Sequence, residues 1–198
     1  DTIIYGTSPM AAVYGFRINL TGQGTHGSTP HLGVDPINTG VHIYLALQEL
    51  IAREISPTDE TALTIGRFEA GNVSNVIPER AVLEGTLRTF KPEIRSRLIQ
   101  RIDDIVHSVA NTYRTEAKIE VLSDVPPVTC CPKMNQELLS SILEMDEQIK
   151  TLPYYHVMGS EDFAFISEKV PSSYFGLGAG IKDQSKWFSQ HNPKVRFA

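Results

Sequence analysis

The sequence predicts an α+β protein: a ferredoxin-like βαββαβ two-layer sandwich joined to part of a second, αβ domain. Three observations carry this expectation. Segments read in the order strand, helix, strand, strand, helix, strand between about residues 14 and 123. Both helical segments are strongly apolar on the side that would meet a sheet, as crossover helices of the split βαβ arrangement must be. Beyond "DVPPV" at 124–128 the texture changes, and too few elements follow to build a core of their own.

From Phe16 the chain alternates: Phe16, Ile18 and Leu20 on one side, Arg17, Asn19 and Thr21 on the other, the period of a half-buried strand. "GQGTHGSTPHLGVDP" follows as a glycine-rich loop. Asp35–Pro36 reads as an N-cap with proline in the first helical turn, opening a helix to about Arg53. That helix has two apolar faces. Ile43, Leu47 and Leu50 form one; Ile37, Val41, Tyr44 and Ile51, with Gln48, form the other. One face needs the sheet, and the other suits a second subunit.

Residues 61–71 read as the second strand, "NVSNVIP" as an irregular connection, and 80–90 as the third strand, with Leu83 and Leu87 inward and Glu84, Thr86 and Arg88 outward. Pro92 opens a long helix whose stripe is Ile94, Leu98, Ile102, Ile105 and Val109. Residues 117–123 alternate again and complete the sheet. In the C-terminal region a helix is expected over about 135–149. Ser160 is expected to cap a short helix with Glu161 and Asp162 in its first turn, and "SSYFGLGAG" reads as a strand ending in a glycine-rich turn.

Composition narrows the function. The chain has 198 residues, 41% hydrophobic and 21% charged, with a net charge of −5. A mildly acidic chain without a Lys/Arg cluster argues against nucleic acid and anionic membranes as partners. No apolar run approaches the roughly 20 residues that span a bilayer. The opening "DTIIYGTSPM" lacks a basic leader, so a fragment or excised domain is expected. Cys130 and Cys131 are adjacent, without metal-ligand spacing, and read as free thiols of a reducing compartment, which points to the cytoplasm.

Several residues invite a chemical reading, each beside a plain one. His26 is either a solvated loop residue or an imidazole presented outside its own domain, as a donor to developing negative charge or a proton carrier. Gly24 and Gly27 would let its backbone approach another surface closely, and no neighbouring acid or cysteine supports a nucleophile triad. Arg88 is a solvated arginine or a fork for a substrate carboxylate. Asn75 reads as a turn residue on composition alone. Glu161 and Asp162 either complement a helix dipole or contact a metal or substrate site. His191, before Asn-Pro, is a turn residue or a ligand. "GLGAG" lacks the full nucleotide-binding context, and His31, His42, His107 and His156 show no ligand spacing.

Read in order, "GQGTHGSTPHLGVDPI", "NVSNVIPERAVLEGTLRTF", "MGSEDFAF", "FGLGAG" and "HNPKVRF" resemble the C-terminal half of an M20 family metallopeptidase. The resemblance is closest to the amidohydrolase branch of hippurate hydrolases, N-acyl-amino-acid amidohydrolases and auxin-conjugate hydrolases. It implies a catalytic domain with two divalent metal ions, Zn or Mn, and an inserted lid domain that forms a homodimer. Here residues 1–13 and 124–198 would belong to the catalytic domain and 14–123 to the lid. By resemblance His26 matches the lid histidine that reaches into the partner subunit's active site and stabilises an oxyanion. Asn75 matches a substrate contact of the NVIP motif, and Arg88 the arginine that can bind a substrate carboxylate. His191 matches a metal-ligating histidine, and Glu161 an acid near the metal site. The family's other ligands and general base lie in an HxCGHD-like segment, an adjacent Glu-Glu pair and a further histidine, which this sequence lacks. The expectation is therefore an amidohydrolase of N-acyl amino acids as a whole protein, with this chain alone inactive and binding no metal tightly. The alternative from the residues is a non-catalytic dimerisation or small-molecule-binding domain.

Overall fold

The computed structural model describes residues 2–153, 156–181, 183–188 and 191–197. In chain order the elements are β1 (Thr2–Tyr5), β2 (Ala12–Thr21), β3 (Thr25–His26), α1 (Pro36–Glu49), β4 (Thr61–Ala70), β5 (Val76–Ile77), β6 (Arg80–Thr89), α2 (Pro92–Thr112), β7 (Glu116–Val125), α3 (Pro132–Met145), β8 (Lys150–Leu152), α4 (Ala164–Ser167) and β9 (Phe175–Leu177). Contacts divide the chain into two units. One holds residues 11–127 with 158–162; the other holds 1–10, 128–157 and 163–198.

In the first unit, β4, β6, β2 and β7 form a four-stranded sheet in that order, each neighbouring pair antiparallel. Together with α1 and α2 this is the βαββαβ sandwich expected. Alternation on β2 buries Phe16, Ile18 and Leu20, and alternation on β6 buries Leu83 and Leu87, so both strands turn one face to the helices. Phe16 pairs with Gly85 across the strands. A Cβ at Gly85 would stand 2.8 Å from the Phe16 ring and 2.7 Å from Ile65 Cδ1, so the missing side chain is what admits the aromatic ring.

Asp35 caps α1 as its position implies: Oδ1 accepts from the N–H groups of Ile37 at 2.8 Å and Asn38 at 3.2 Å. The helix continues past Glu49 as a π turn over Leu50–Glu54. Ile43, Leu47 and Leu50 are buried against the sheet. On the second face Ile37, Val41 and Tyr44 are 37%, 42% and 40% exposed, whereas Ile51 packs against the chain's own core. On α2 the fully buried stripe is Ile94, Leu98, Ile102, Val106 and Ala110, and Ile105 and Val109 flank it. Val106 and Ala110 are thus buried where Ile105 and Val109 were expected.

The sheet's other face is polar. Glu84 accepts from Arg17 Nε at 2.7 Å and Arg67 Nη1 at 2.6 Å, and Arg17 also reaches Glu120 at 3.0 Å. The Arg17 guanidinium, seconded by Arg67, holds the Glu84 carboxyl below the usual glutamate range.

In the second unit, β1 lies between β8, parallel to it, and β9, antiparallel. Two expectations are corrected here. α3 spans 132–145 rather than 135–149: Pro132 occupies its first turn, and the chain leaves the helix at Asp146 to pair Lys150–Leu152 with β1. Asn135, expected to begin the helix, is inside it and buried, with Nδ2 donating to the Gly6 carbonyl at 3.1 Å. The short helix starts at Ala164 with Phe163 at its N-cap, so Ser160 caps nothing, and Glu161 and Asp162 precede the helix. Cys130 and Cys131 are both free. Cys130 is buried, and burial pushes its thiol up. Among the described residues no helix is long and apolar enough to cross a membrane.

Candidate functional site

The glycine-rich loop is not slack. β3 pairs antiparallel with β5, setting Thr25 opposite Ile77 and His26 opposite Val76. The zipper extends on both sides, with Gly22 N–H donating to Glu79 O at 2.8 Å and Gly27 N–H to Asn75 O at 2.7 Å. Gln23 and Val34 exchange backbone hydrogen bonds at 2.9 and 3.0 Å, closing the loop behind the ribbon. The segment expected to be an irregular connection thus contains a strand. The surface that Gly24 and Gly27 approach is the chain's own 75–79 segment. A Cβ at Gly27 would lie 3.0 Å from Asn75 O, and one at Gly24 would lie 3.2 Å from Ile77 O.

His26 ends β3 and is exposed. Its carbonyl accepts from Thr29 N–H at 2.9 Å and Thr29 Oγ1 at 3.2 Å, closing a four-residue turn. Its ring turns back on that loop. Nδ1 lies 2.7 Å from Ser28 Oγ and accepts the Ser28 backbone N–H at 3.1 Å. Asn75, in the turn before β5, is exposed beside it on the same ribbon. The structure therefore brings His26 and Asn75 together.

Arg88 is half-buried on the outward face of β6, and its Nη1 donates to Met158 O at 3.0 Å. Ala11 N–H donates to Gly159 O at 2.9 Å. These two bonds tie the 158–162 strip, and with it half-buried Glu161, to the sandwich. Arg88 is thus not simply solvated: one of its five donors is engaged by Met158 O.

His191 belongs to the other unit, is exposed, and holds a left-handed φ of 68°. The turn after it is closed by Val195 N–H on Asn192 O at 3.0 Å and Lys194 N–H on Asn192 Oδ1 at 2.9 Å. Of the other histidines, His42 stacks on Tyr113 at 4.6 Å, and His107 Nδ1 contacts the Asp103 carbonyl at 2.9 Å. Among the described residues no group of three or more His, Cys, Asp or Glu side chains could hold a metal ion. A metal centre does not fit these residues by themselves, because even an open catalytic site uses three protein ligands.

Sequence reasoning missed Ser28, Met158 and Gly159. Only Ser28 left a local signal, a donor two residues after a side chain able to accept.

Comparison with known proteins agrees with this architecture. Residues 13–114 match the family model described as a peptidase dimerisation domain. The uncharacterized hydrolase y4tI of Sinorhizobium fredii is 35% identical over 165 residues, covering 83% of this chain and 41% of its own length. Thermostable carboxypeptidase 2 of Saccharolobus solfataricus is 30% identical over 186 residues, 93% of this chain and 47% of its own length. N-acetyl-L-cysteine deacetylase of Bacillus subtilis is 30% identical over 181 residues, 89% and 42%. This chain therefore spans less than half the length of these relatives. Two solved structures share the fold. One is a protein of methicillin resistant Staphylococcus aureus assigned as an aminohydrolase: TM-score 0.89, 24% identity, 100% of this chain and 51% of that one. The other is the Bacillus subtilis YXEP protein, described as a dinuclear metal binding peptidase of the M20 family: TM-score 0.76, 24% identity, 99% and 48%. A sandwich of this topology, with the dimerisation-domain match lying on it and hydrolases among its relatives, places the chain in the M20 peptidase family, whose dimerisation domain it carries at residues 13–114.

Proposed function

We propose that this chain is part of a metal-dependent amidohydrolase that cleaves the amide bond of N-acyl amino acids, and that the chain alone is inactive. The observation that supports this best is the exposed His26 held on a hydrogen-bonded ribbon inside a dimerisation domain. An exposed imidazole fixed on such a domain suits chemistry hosted by a second copy. The relatives' names point the same way: a deacetylase of N-acetyl-L-cysteine and a carboxypeptidase each cut an amide next to a free carboxylate.

In this reading His26 donates a hydrogen bond to the oxygen that gains negative charge as the amide carbonyl is attacked. Asn75, beside it, contacts the substrate. The donors of Arg88 not spent on Met158 O bind the substrate carboxylate, and Glu161 borders the site. His191 is one ligand of a pair of divalent ions, Zn or Mn, whose other ligands lie outside this chain. Two copies pair through the α1 face of Ile37, Val41 and Tyr44, which the chain's own core leaves uncovered. The cytoplasm is the proposed compartment, and the domain division is lid at 14–123 with catalytic pieces at 1–13 and 124–198.

Mixing tests this in the longer protein. A His26→Ala subunit is expected to lose about 10²–10³-fold in turnover and a subunit lacking a metal ligand to be inactive, and their heterodimers to regain hydrolysis of hippurate-like amides. Heterodimers without activity would overturn action across the interface. Stoichiometric metal and hydrolysis by the 198-residue chain alone would overturn its inactivity.

A further inference from the structure

We infer that Ser28 is a positioning residue that fixes the tautomer of His26: its backbone N–H binds the Nδ1 lone pair, so the ring proton sits on Nε2. This rests on reading His26 as a hydrogen-bond donor, and supplies what that reading needs.

The argument starts from what a backbone N–H can do. It donates and never accepts, so the Ser28 N–H at 3.1 Å requires a lone pair on Nδ1. A neutral imidazole has one bare nitrogen and one protonated nitrogen. With Nδ1 bare, Nε2 carries the proton and becomes the donor. The Ser28 hydroxyl, 2.7 Å from the same Nδ1, both donates and accepts, so it steadies the ring without choosing the tautomer. The amide makes the choice.

The turn explains why this amide is there. Thr29 closes back on the His26 carbonyl with both its N–H and its hydroxyl, making Ser28 the third residue of the turn. A side-chain acceptor at the first position then meets the N–H two residues on, the arrangement of an Asx turn with imidazole nitrogen in place of a carboxamide oxygen. Both ends are anchored. His26 is paired with Val76, Gly27 N–H is held by Asn75 O, and Thr25 Oγ1 lies 3.3 Å from Thr29 Oγ1. The ring is thereby presented with Nε2 as its available nitrogen, a donor ready for an oxyanion.

The test is nuclear magnetic resonance on the ¹⁵N-labelled 198-residue chain, above histidine's ordinary titration range. The expected result is a through-hydrogen-bond correlation between the Ser28 amide nitrogen and His26 Nδ1, with the ring proton on Nε2. Ser28→Ala keeps the amide and is expected to keep both signatures. Ser28→Pro removes the amide, and is expected to erase the correlation and move the tautomer ratio severalfold toward the Nδ1 form. A ring protonated on Nδ1, no correlation in the wild-type chain, or an unchanged ratio in a folded Ser28→Pro chain would each overturn the assignment. None of these readouts uses activity. A His26→Ala enzyme with full turnover would sink the functional reading while leaving the tautomer intact, so the two failures are distinguishable.

Discussion

His26 owes its orientation to three neighbours that are unremarkable by residue type: a glycine that lets two backbones meet, a serine amide and a threonine. Gly27 brings its N–H within 2.7 Å of Asn75 O, where a Cβ would crowd that oxygen. Gly27→Ala is therefore expected to loosen the ribbon, seen as faster amide hydrogen exchange at His26 and Val76 with little change in global stability. At the same scale, His26→Ala in the longer protein proposed above is expected to lower turnover about 10²–10³-fold, the usual cost of losing one oxyanion donor. A steady-state assay on a hippurate-like amide that shows turnover unchanged would remove His26 from the chemistry.

Among the elements, α1 and α2 act through what they bury. Leu98, fully buried on α2, belongs to the helix–sheet core. Leu98→Ala is expected to cost about 2–5 kcal/mol in a urea titration, lost contact and residual cavity together. At the start of α1, Asp35→Ala removes two accepted hydrogen bonds and is expected to cost about 1 kcal/mol. On the open face of the sheet, the depressed Glu84 carboxyl favours the folded state above the ordinary glutamate pKa of about 4.3, and that contribution disappears as the pH falls through the lowered value. Glu84→Gln should consequently reduce Tm at neutral pH yet flatten its decline between about pH 5 and pH 3. Equal slopes for the two chains would deny the ion pairs any role in acid stability.

For the whole molecule the question is which surfaces its own core leaves uncovered. The outer stripe of α1 keeps three large apolar side chains partly in water, on the domain that matches a dimerisation module. Val41→Asp places a charge in that stripe without touching the buried face. It is expected to shift the chain toward monomer in sedimentation velocity, with its circular dichroism unchanged. A chain that stays self-associated would move the interface elsewhere on the molecule.

Legible in the sequence alone were the order of the sandwich elements, the buried faces of β2, β6 and α1, the first three buried positions of α2, and the cap at Asp35; further along α2 the expected Ile105 and Val109 give way to Val106 and Ala110. Each is written in a repeat of two or about four residues, or in adjacent residues, and local periodicity is legible without partners. It also carried the family, through motif strings spread over nearly the whole chain. Tertiary structure alone decided the pairing of β3 with β5 and the grip of Arg88 on Met158 O, contacts between segments far apart in the chain that leave no periodic trace. It also decided where α3 ends, because the strand that follows answers to β1 at the opposite terminus. Short strands of two or three residues have too few side chains to show a pattern. Their existence is set by the backbone groups that happen to lie across from them once the core has formed.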